Sequence, residues 1–322
     1  MRLLRKLARD PHLQPLGLLV LVIAGFVAMD ASILSVSTGA STLETFATVG
    51  PVALGLGLTM LMGEFDLSVA GIFGMAGCIA VLSGVAHPWL GLLLAIGAGA
   101  MQGAVQGLII HRLRLASVGV TLGGLLISVG VAYVLTGSSA LFYDNMGVAM
   151  WMGTKWLDLL SARTAAAIVL FASAAVLVGF TRPGRDLIAV GSDRQAALVA
   201  GVDVGGLMVA VFAFSGAAAA LAGVLLSYSL ASASPAGLSD VLVPAATAAI
   251  LGGVSLGGGA GRPLGIAAGV LVLAVMRAGF NALGAEPWIG EAVTAMVLLI
   301  VAALDAPAIS KWLRPLSGLQ PG

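Results

Sequence analysis

The sequence predicts an all-α integral membrane protein. Of its 322 residues, 60% are hydrophobic and only 9% are charged, whereas a soluble domain carries about 25% charged residues. The 45 glycines and 12 prolines favour closely packed and broken helices over the alternating strands of a β-barrel. The composition therefore excludes a soluble domain and predicts one membrane domain over residues 1–322.

Ten apolar segments have lengths near the ~20 residues with which a helix crosses the hydrocarbon core. Glycine-rich interruptions between them predict broken or re-entrant segments. The polar connection 181–206 follows the sixth span. The predicted spans are residues 15–30, 43–62, 67–86, 89–110, 116–136, 164–180, 207–230, 241–258, 263–283 and 288–304.

The basic residues predict the orientation of these spans. If the N-terminus is cytoplasmic, 12 of the 15 basic residues lie on the cytoplasmic side, in agreement with the positive-inside rule. Both termini are then cytoplasmic. The start also resembles a signal peptide, but the apolar run 13–29 exceeds the usual length of about 7–15 residues, so we favour an uncleaved first span. The 12 residues are Arg2, Arg5, Lys6, Arg9, Arg112, Arg114, Arg182, Arg185, Arg194, Arg262, Lys311 and Arg314.

The fourth span carries two side-chain stripes. Gly99, Gly103 and Gly107 repeat every four residues, which predicts close packing of a neighbouring helix. Gln102 and Gln106 share an adjacent face. These amides are candidates either for interhelical hydrogen bonds or for a polar path along which a solute crosses the membrane.

A weak internal repeat connects this region with the ninth span. Setting Met101-Gln102 onto Met276-Arg277 also sets Gln106 onto Asn281. An offset of five spans gives inverted copies, as in many transporters that bind substrate at the repeat interface, and Asn281 then joins the candidate path. Chance similarity between glycine-rich and alanine-rich helices explains the alignment equally well.

Residues 63–69, with the sequence GEFDLSV, place two carboxylates between apolar stretches. A charge at the bilayer centre costs about 2.5–3.5 kcal/mol, so both acids need an interface, a polar cavity or partner groups. We expect Asp66 to cap the third span, with Ser68 sharing that role. Glu64 is expected near the cytoplasmic interface, satisfied by water or by a partner's cation, and Glu44 at the outer interface. Proton coupling through these acids is the alternative.

Few other side chains in the predicted spans have functional groups suited to catalysis, metal binding or redox reactions. Arg277 lies near the outer end of its span, so we expect it to reach the interface or to pair with Glu291. The single Cys78 excludes a disulfide within the chain, and the three histidines share no ligand spacing. We therefore predict no metal site and no redox centre.

The sizeable outer connection 137–163 is rich in aromatic residues. Because tryptophan and tyrosine concentrate at membrane interfaces, we expect Tyr143, Trp151 and Trp156 to act as interface anchors. Contact with a ligand is the alternative.

The polar segment 181–204 is predicted to be more than a simple connection between two spans. Residues Ser192 to Ala200 predict a short helix, with Ser192 or Asp193 as cap and Gly201 as stop. A simple basic connector is the alternative to a helix that docks on a partner. Docking is favoured by an apolar surface formed by Ala196, Ala197, Leu198 and Ala200.

The glycine-rich segment 251–261 superficially resembles a phosphate-binding loop. It lacks the Gly-Lys-Ser/Thr ending and a preceding soluble strand. We therefore expect broken backbone between two spans and no bound nucleotide.

Three stretches, in this order, resemble the permease subunits of bacterial ATP-driven (ABC) sugar importers of the ribose, xylose and galactose type. They are GEFDLSV at 63–69, GRDLIAVGSDRQAALVAGVDV at 184–204 and AAILGGVSLGGGAG at 248–261, followed by Asn281 and Gly284. The resemblance covers nearly the whole chain. Glu64, Phe65 and Ala70 depart from the residues usual in that family.

The resemblance implies a type II importer fold in the bacterial inner membrane. Its pore would consist of two permease subunits, identical or related, served by cytoplasmic ATPases and a periplasmic binding protein. ATP and Mg²⁺ would be used by the partner ATPase, so this chain would bind no cofactor and carry no catalytic residue. The implied ATPase-coupling residues are Gly184, Arg185, Ala189, Gly191, Asp193, Arg194, Ala196, Ala197 and Gly201, and the implied motif residues are Gly63, Asp66, Leu67 and Ser68.

A monosaccharide is the expected solute, and a nucleoside or another small polar solute is the alternative. Membrane lipid surrounds such a chain, and no nucleic-acid partner is expected. An ion-coupled secondary transporter stays open because of the intramembrane acids. A membrane-embedded enzyme is a third class, for which the sequence lacks a convergent nucleophile, metal cluster or acid–base pair.

Overall fold

The computed structural model describes residues 14–235 and 241–305, and helices dominate this part of the chain. Four two-residue strands form two short antiparallel pairs, β1 (Leu141–Phe142) with β4 (Ser232–Ala233) and β2 (Lys155–Trp156) with β3 (Leu160–Ser161). The helices are α1 (Gln14–Met29), α2 (Val36–Leu61), α3 (Val69–Ser83), α4 (Pro88–Leu113), α5 (Ser117–Thr136), α6 (Met146–Gly153), α7 (Ala162–Phe180), α8 (Arg182–Ser192), α9 (Arg194–Val199), α10 (Val204–Ser229), α11 (Leu242–Leu251), α12 (Pro263–Ala282) and α13 (Pro287–Asp305).

A helix lies over each of the ten predicted spans, but a helix is not by itself a span. In the described ranges, the six helices α2, α4, α5, α7, α10 and α12 are long and apolar enough to cross a membrane. The shorter apolar helices are α1, α3, α11 and the Trp288–Leu299 part of α13. The fold is therefore that of an all-α membrane protein, while the ten-span count and the inverted repeat stay predictions.

The orientation prediction rests partly on residues outside those ranges. The residues concerned are Arg2, Arg5, Lys6, Arg9, Lys311 and Arg314.

Local sequence explains where several helices begin. The Ser35 side chain accepts a hydrogen bond from Thr38 N at the start of α2, and Asp203 accepts one from Gly206 N at the start of α10. Pro88 and Pro263 occupy the first turns of α4 and α12, where a missing N–H costs no helical hydrogen bond. Capping residues and prolines thus set these boundaries.

The predicted span 241–258 is too long, because α11 ends at Leu251. Gly252 and Gly253 follow directly, and Gly253 has φ of 83°, a conformation that favours glycine. Ten helical residues cover only about 15 Å. Residues 252–262 form the broken backbone expected between two helices.

Helix α10 packs along the length of α4 through the predicted glycine stripe. Gly99, Gly103 and Gly107 lie against the backbones of Gly216, Phe212 and Met208 respectively. Because the residue numbers rise along α4 while those of the contacted residues in α10 fall, the two helices are antiparallel. A Cβ at Gly103 would overlap the Phe212 carbonyl oxygen, so small residues are what permits this approach.

The outer connection contains one aromatic residue that is not an interface anchor. Tyr143 is buried, stacks on Tyr228 with ring centroids 4.7 Å apart, and donates a hydrogen bond of 2.9 Å to Gly84 O. The anchor prediction is wrong for Tyr143, since its ring and hydroxyl are both satisfied inside the protein. Trp151 and Trp156 are about half exposed, and their anchoring role stays a prediction.

Candidate functional site

The three sequence motifs meet at one place in the fold, which we call the motif junction: residues 61–64, 191–194 and 258–259. Gly259 N donates a 2.9 Å hydrogen bond to Leu61 O at the end of α2. A Cβ at Gly191 would overlap both of these atoms, and Gly258 lies against Gly63 and the Gly191 carbonyl oxygen. The polar segment, the glycine-rich loop and the end of α2 therefore pack backbone against backbone.

An ion pair closes the motif junction. Arg194 Nη1 lies 3.0 Å from Glu64 Oε1, with 13% of the Glu64 side chain and 43% of the Arg194 side chain exposed. The expectation that water or a partner's cation satisfies Glu64 is wrong, because its cation comes from this chain. A pair this exposed contributes at most about 1 kcal/mol.

The predicted helix 192–200 is found as α9, and Asp193 is its cap. Asp193 Oδ1 accepts hydrogen bonds of 2.9 Å from Gln195 N and Ala196 N. Gly201, with φ of 86°, follows the end of the helix. Because Ser192 instead ends the preceding α8, the alternative of Ser192 as the cap is wrong.

Sequence reading missed α8, which turns the polar connection into two consecutive helices. Its inner face packs close to α7, where Gly184 lies against the backbone carbonyls of Leu177 and Val178. Buried Leu187 and Val190 complete that face. The signal for α8 was available as the repeat of small or apolar residues at 184, 187 and 190.

The outer surface of these two helices combines apolar and basic side chains. Among the predicted docking residues, Ala197 is buried and therefore wrongly placed on that surface. The others face outward together with Val199, which is 90% exposed. Of the implied coupling residues, Gly184 is also buried and Gly191 is half-buried. The exposed residues from 182 to 200 are Arg182, Pro183, Arg185, Ala189, Ser192, Asp193, Arg194, Gln195, Ala196, Leu198, Val199 and Ala200.

Asp66 lies at the centre of a buried polar network beside the motif junction. Its Oδ1 accepts from Ser68 N at 3.0 Å and Ser68 Oγ at 2.6 Å, and its Oδ2 accepts from Ser215 Oγ of α10 at 2.8 Å. Ser68 Oγ also lies 2.9 Å from Gln106 Oε1 of α4. Asp66 and Ser68 together thus connect the start of α3 with α4 and α10.

The prediction that Asp66 and Ser68 cap α3 is therefore wrong in its main point. Ser68 occupies the cap position of α3 but makes no side-chain capping bond, and Asp66 reaches only the N–H of Ser68. Both side chains turn toward the protein interior because buried hydroxyls need acceptors. Sequence reading missed Ser215, whose signal was an isolated hydroxyl in the apolar run of α10.

Residues 63–68, which form the non-helical break between α2 and α3, are also hydrogen-bonded to α5. Ser117 Oγ accepts from Phe65 N at 3.1 Å, and Thr121 Oγ1 donates to Phe65 O at 3.2 Å. Leu67, the remaining motif residue, is half-buried. Residues 63–68 are thus held in place from several sides without regular helix.

The residues of the candidate solute path lie in two different cavities. Cavity A, of about 560 Å³, contains Asn281 and lies among α2, α11, α12 and α13. Cavity B, of about 810 Å³, contains Gln102 and Gln106 and lies among α3, α4 and α5. Within this chain the structure does not bring the amides together, and their role in transport stays a prediction.

The glutamines of cavity B are engaged in helix contacts. Gln102 Nε2 donates to Gly124 O and its Oε1 accepts from Ser128 Oγ, both at 2.9 Å. Gln106 is buried and contacts Ser68, while its Nε2 has no partner among the described residues. The interhelical alternative thus describes Gln102 fully and Gln106 in part.

Cavity A carries the charges that sequence reading paired. Arg277 and Glu291 both line it, together with Glu286. Over the described ranges the ion pairs within 4.0 Å are Glu44 with Arg163 and Glu64 with Arg194. The predicted pairing of Arg277 with Glu291 is therefore wrong in this conformation.

Glu44 is neither isolated nor simply at an interface. Its Oε2 lies 3.0 Å from Nη1 of the buried Arg163 at the start of α7. Arg163 also donates to Thr48 Oγ1 and Ser229 Oγ. The pair connects α2 with α7 because a buried guanidinium needs a counter-charge.

Among residues 14–235 and 241–305, no group of three or more histidine, cysteine, aspartate or glutamate side chains could hold a metal ion.

Comparison with known proteins gives a consistent result. The profile of the family described as "Branched-chain amino acid transport system / permease component" matches residues 39–302. The chain is 30% identical to the L-arabinose transport system permease protein of Escherichia coli (strain K12), over 80% of this chain and 78% of the relative. It is 31% identical to the ribose import permease protein of Bacillus subtilis (strain 168), over 90% and 91% respectively. It is also 30% identical to the autoinducer 2 import system permease protein of Escherichia coli O9:H4 (strain HS), over 92% and 94%. No solved structure matches it significantly.

Proposed function

Because this chain belongs to the branched-chain amino acid transport system / permease component family, we propose that it is the membrane-spanning permease subunit of an ATP-driven importer of a monosaccharide. It is a multi-pass protein of the inner membrane, with six helices able to cross the bilayer. The names of two relatives, which specify L-arabinose and ribose, favour a monosaccharide over a nucleoside.

The motif junction is the observation that carries the proposal. A short exposed helix, α9, is joined through close glycine packing and the Glu64–Arg194 pair to a break between two buried helices. The Asp66 network lies directly behind that break and reaches α4 and α10. Movement of α9 by a partner would therefore move packed helices as rigid bodies.

The proposed partners are those that the resemblance to bacterial ABC sugar importers implies. A separate cytoplasmic ATPase uses ATP and Mg²⁺ and docks on the outer surface of α8 and α9. A solute-binding protein delivers the sugar from the opposite side, and a second permease subunit, identical or related, completes the pore. Both termini of this chain are then cytoplasmic.

The test is uptake by the complete importer in proteoliposomes, assembled with its cytoplasmic ATPase and its solute-binding protein. We expect ATP-dependent uptake of a sugar from a radiolabelled monosaccharide panel, and none with an ATPase that cannot hydrolyse ATP. The triple variant Arg185→Ala, Asp193→Ala, Arg194→Ala should abolish uptake. Arg112→Ala, a basic residue at the end of α4 outside the docking surface, is the matched control.

An ion-coupled transporter predicts the opposite dependence. It would accumulate the sugar without the ATPase and would stop when the proton or sodium gradient is collapsed. Uptake of that kind would refute the proposed function.

A further inference from the structure

Cavity A combines charged, polar and apolar side chains near the outer end of α12. It contains the guanidinium of Arg277, the amide of Asn281 and the carboxylates of Glu286 and Glu291. Among the described residues, none of these four side chains makes an ion pair within 4.0 Å or a hydrogen bond. All four side chains are exposed, and because unpaired charges in a membrane protein face water or a ligand, we expect cavity A to be open to water.

The polar groups of cavity A converge from several elements. Arg277 and Asn281 are four residues apart on α12 and therefore share one face of that helix. Glu291 and Thr294 belong to α13, and Thr45 approaches from α2. Both hydrogen-bond donors and acceptors thus surround one volume.

The remaining wall of cavity A is apolar. Phe280, Val270 and Leu273 line it beside the charged groups. A volume of about 560 Å³ is within the range of about 300–1,000 Å³ typical of small-molecule sites, which combine apolar walls with a few placed polar groups. Cavity A therefore has the size and the mixed lining of a ligand site.

We infer that cavity A is a binding site for a neutral polyhydroxylated solute inside a single permease subunit. Hydroxyl groups donate to the carboxylates of Glu286 and Glu291 and accept from Arg277 and Asn281, while the carbon–hydrogen faces of a sugar ring contact Phe280. A free anion is disfavoured because the lining carries two carboxylates and one guanidinium. This inference rests on the proposed function and assigns its solute to one of the two cavities.

Cavity B does not compete for this role. Both polar atoms of Gln102 are already hydrogen-bonded to α5, and apart from its glutamines the wall is made of apolar side chains, glycine and alanine. There, Gln106 Nε2 is the one side-chain polar atom without a partner among the described residues that line the cavity, so a polyhydroxylated solute would lose most of its hydrogen bonds to water without replacement. The two cavities therefore predict different accessibility to water-soluble reagents.

The experiment uses cysteine labelling in the complete importer, reconstituted in proteoliposomes. Cys78→Ala removes the single, buried native thiol. Asn281→Cys and Thr294→Cys then report cavity A from two helices, so that failure of one variant to fold does not end the test. A charged, water-soluble thiol reagent is supplied on both sides of the membrane.

Three controls define the result. Leu157→Cys lies in the outer connection and is 87% exposed, whereas Leu126→Cys lies in the middle of α5 and is 63% exposed on an apolar surface. We expect the first to react rapidly whether or not sugar is present, and the second to react slowly. Labelling in the presence of the sugar-free binding protein distinguishes protection by bound sugar from protection by docking of the binding protein.

The sugars used are D-ribose and L-arabinose, delivered by the binding protein. We expect both reporters to react. The transported sugar, supplied at about ten times the dissociation constant measured for each reporter variant, should slow labelling about tenfold, because reaction then requires the empty site. Asn281→Leu should raise the KM for uptake about tenfold through the lost hydrogen bonds.

Two kinds of negative outcome are distinguishable. Normal sugar uptake with reporters that fail to react, or that react at the same rate with sugar present, overturns the assignment of cavity A and leaves the proposed function standing. Absence of ATP-dependent uptake of every sugar in the monosaccharide panel by the unmodified importer overturns the proposed function and this assignment together.

Discussion

The Glu64–Arg194 pair is predicted to couple the exposed helix α9 to the membrane break. Glu64→Gln and Arg194→Gln each remove one charge of the ion pair, whose atoms lie 3.0 Å apart. Since both side chains retain some exposure, solvent screening limits the lost interaction to about 1 kcal/mol. That is a small effect on unfolding, but it shifts a two-state docking equilibrium by roughly fivefold.

We therefore expect each single variant to fold normally and to hydrolyse ATP, but to transport about fivefold less sugar for each ATP consumed. The assay is parallel measurement of sugar uptake and phosphate release in proteoliposomes. Raising the salt concentration should lower the same ratio in the wild-type importer and have little effect in the single variants, because salt screens exposed ion pairs.

The double variant that exchanges the charges at positions 64 and 194 is the decisive test. Glu64→Arg combined with Arg194→Glu restores an opposite pair in reverse, so uptake per ATP should recover. If Arg194 acts only by contacting the ATPase, the exchanged protein will be as impaired as Arg194→Gln. That result, or normal coupling in Glu64→Gln, would refute the reasoning.

Three further predictions concern stability, read as the unfolding temperature of the purified protein in detergent. Gly103→Leu forces a side chain into the backbone of α10 and should lower the free energy of unfolding by about 3 kcal/mol or more. Gly97→Leu is the control, because a Cβ added there meets no atom within 4 Å, and it should change the stability little. Equal effects of the two variants would contradict the packing of α4 on α10. Glu44→Gln leaves the buried guanidinium of Arg163 without its counter-charge and should cost about 3 kcal/mol, while Glu44→Leu with Arg163→Met should recover most of it. Asp66→Asn removes an acceptor from a buried hydroxyl and should cost about 1–3 kcal/mol; an unchanged unfolding temperature would rule out the network.

Much of the helical pattern could be predicted from the sequence. Apolar runs interrupted by glycine and proline locate the helices because burial and backbone freedom act over a few neighbouring residues. The same local reasoning predicted α9 and the stripe at Gly99, Gly103 and Gly107, which the structure places against α10. It overestimated α11, where hydropathy continued beyond the two glycines that end the helix.

The contacts of charged and polar side chains could not be predicted in this way. Arg194 and Glu64 are 130 residues apart, and Ser215 and Asp66 are 149 residues apart. Each contact depends on how helices rotate and pack against one another. The periodicity of one helix does not show how that helix packs on distant ones. Asp66 was therefore predicted to be a helix cap, and Glu64 to be an acid without a partner in this chain.

The sequence by itself determined the membrane class, the helix positions and, through three motifs in order, the resemblance to importer permeases. Only the tertiary structure decided that those motifs form one junction, that Asp66 and Ser68 together connect α3 with α4 and α10, and that the amides of the expected path divide between two cavities. The physical reason is that hydropathy and motif chemistry are local properties of the chain. Partners for buried charges are chosen by the packing of distant helices.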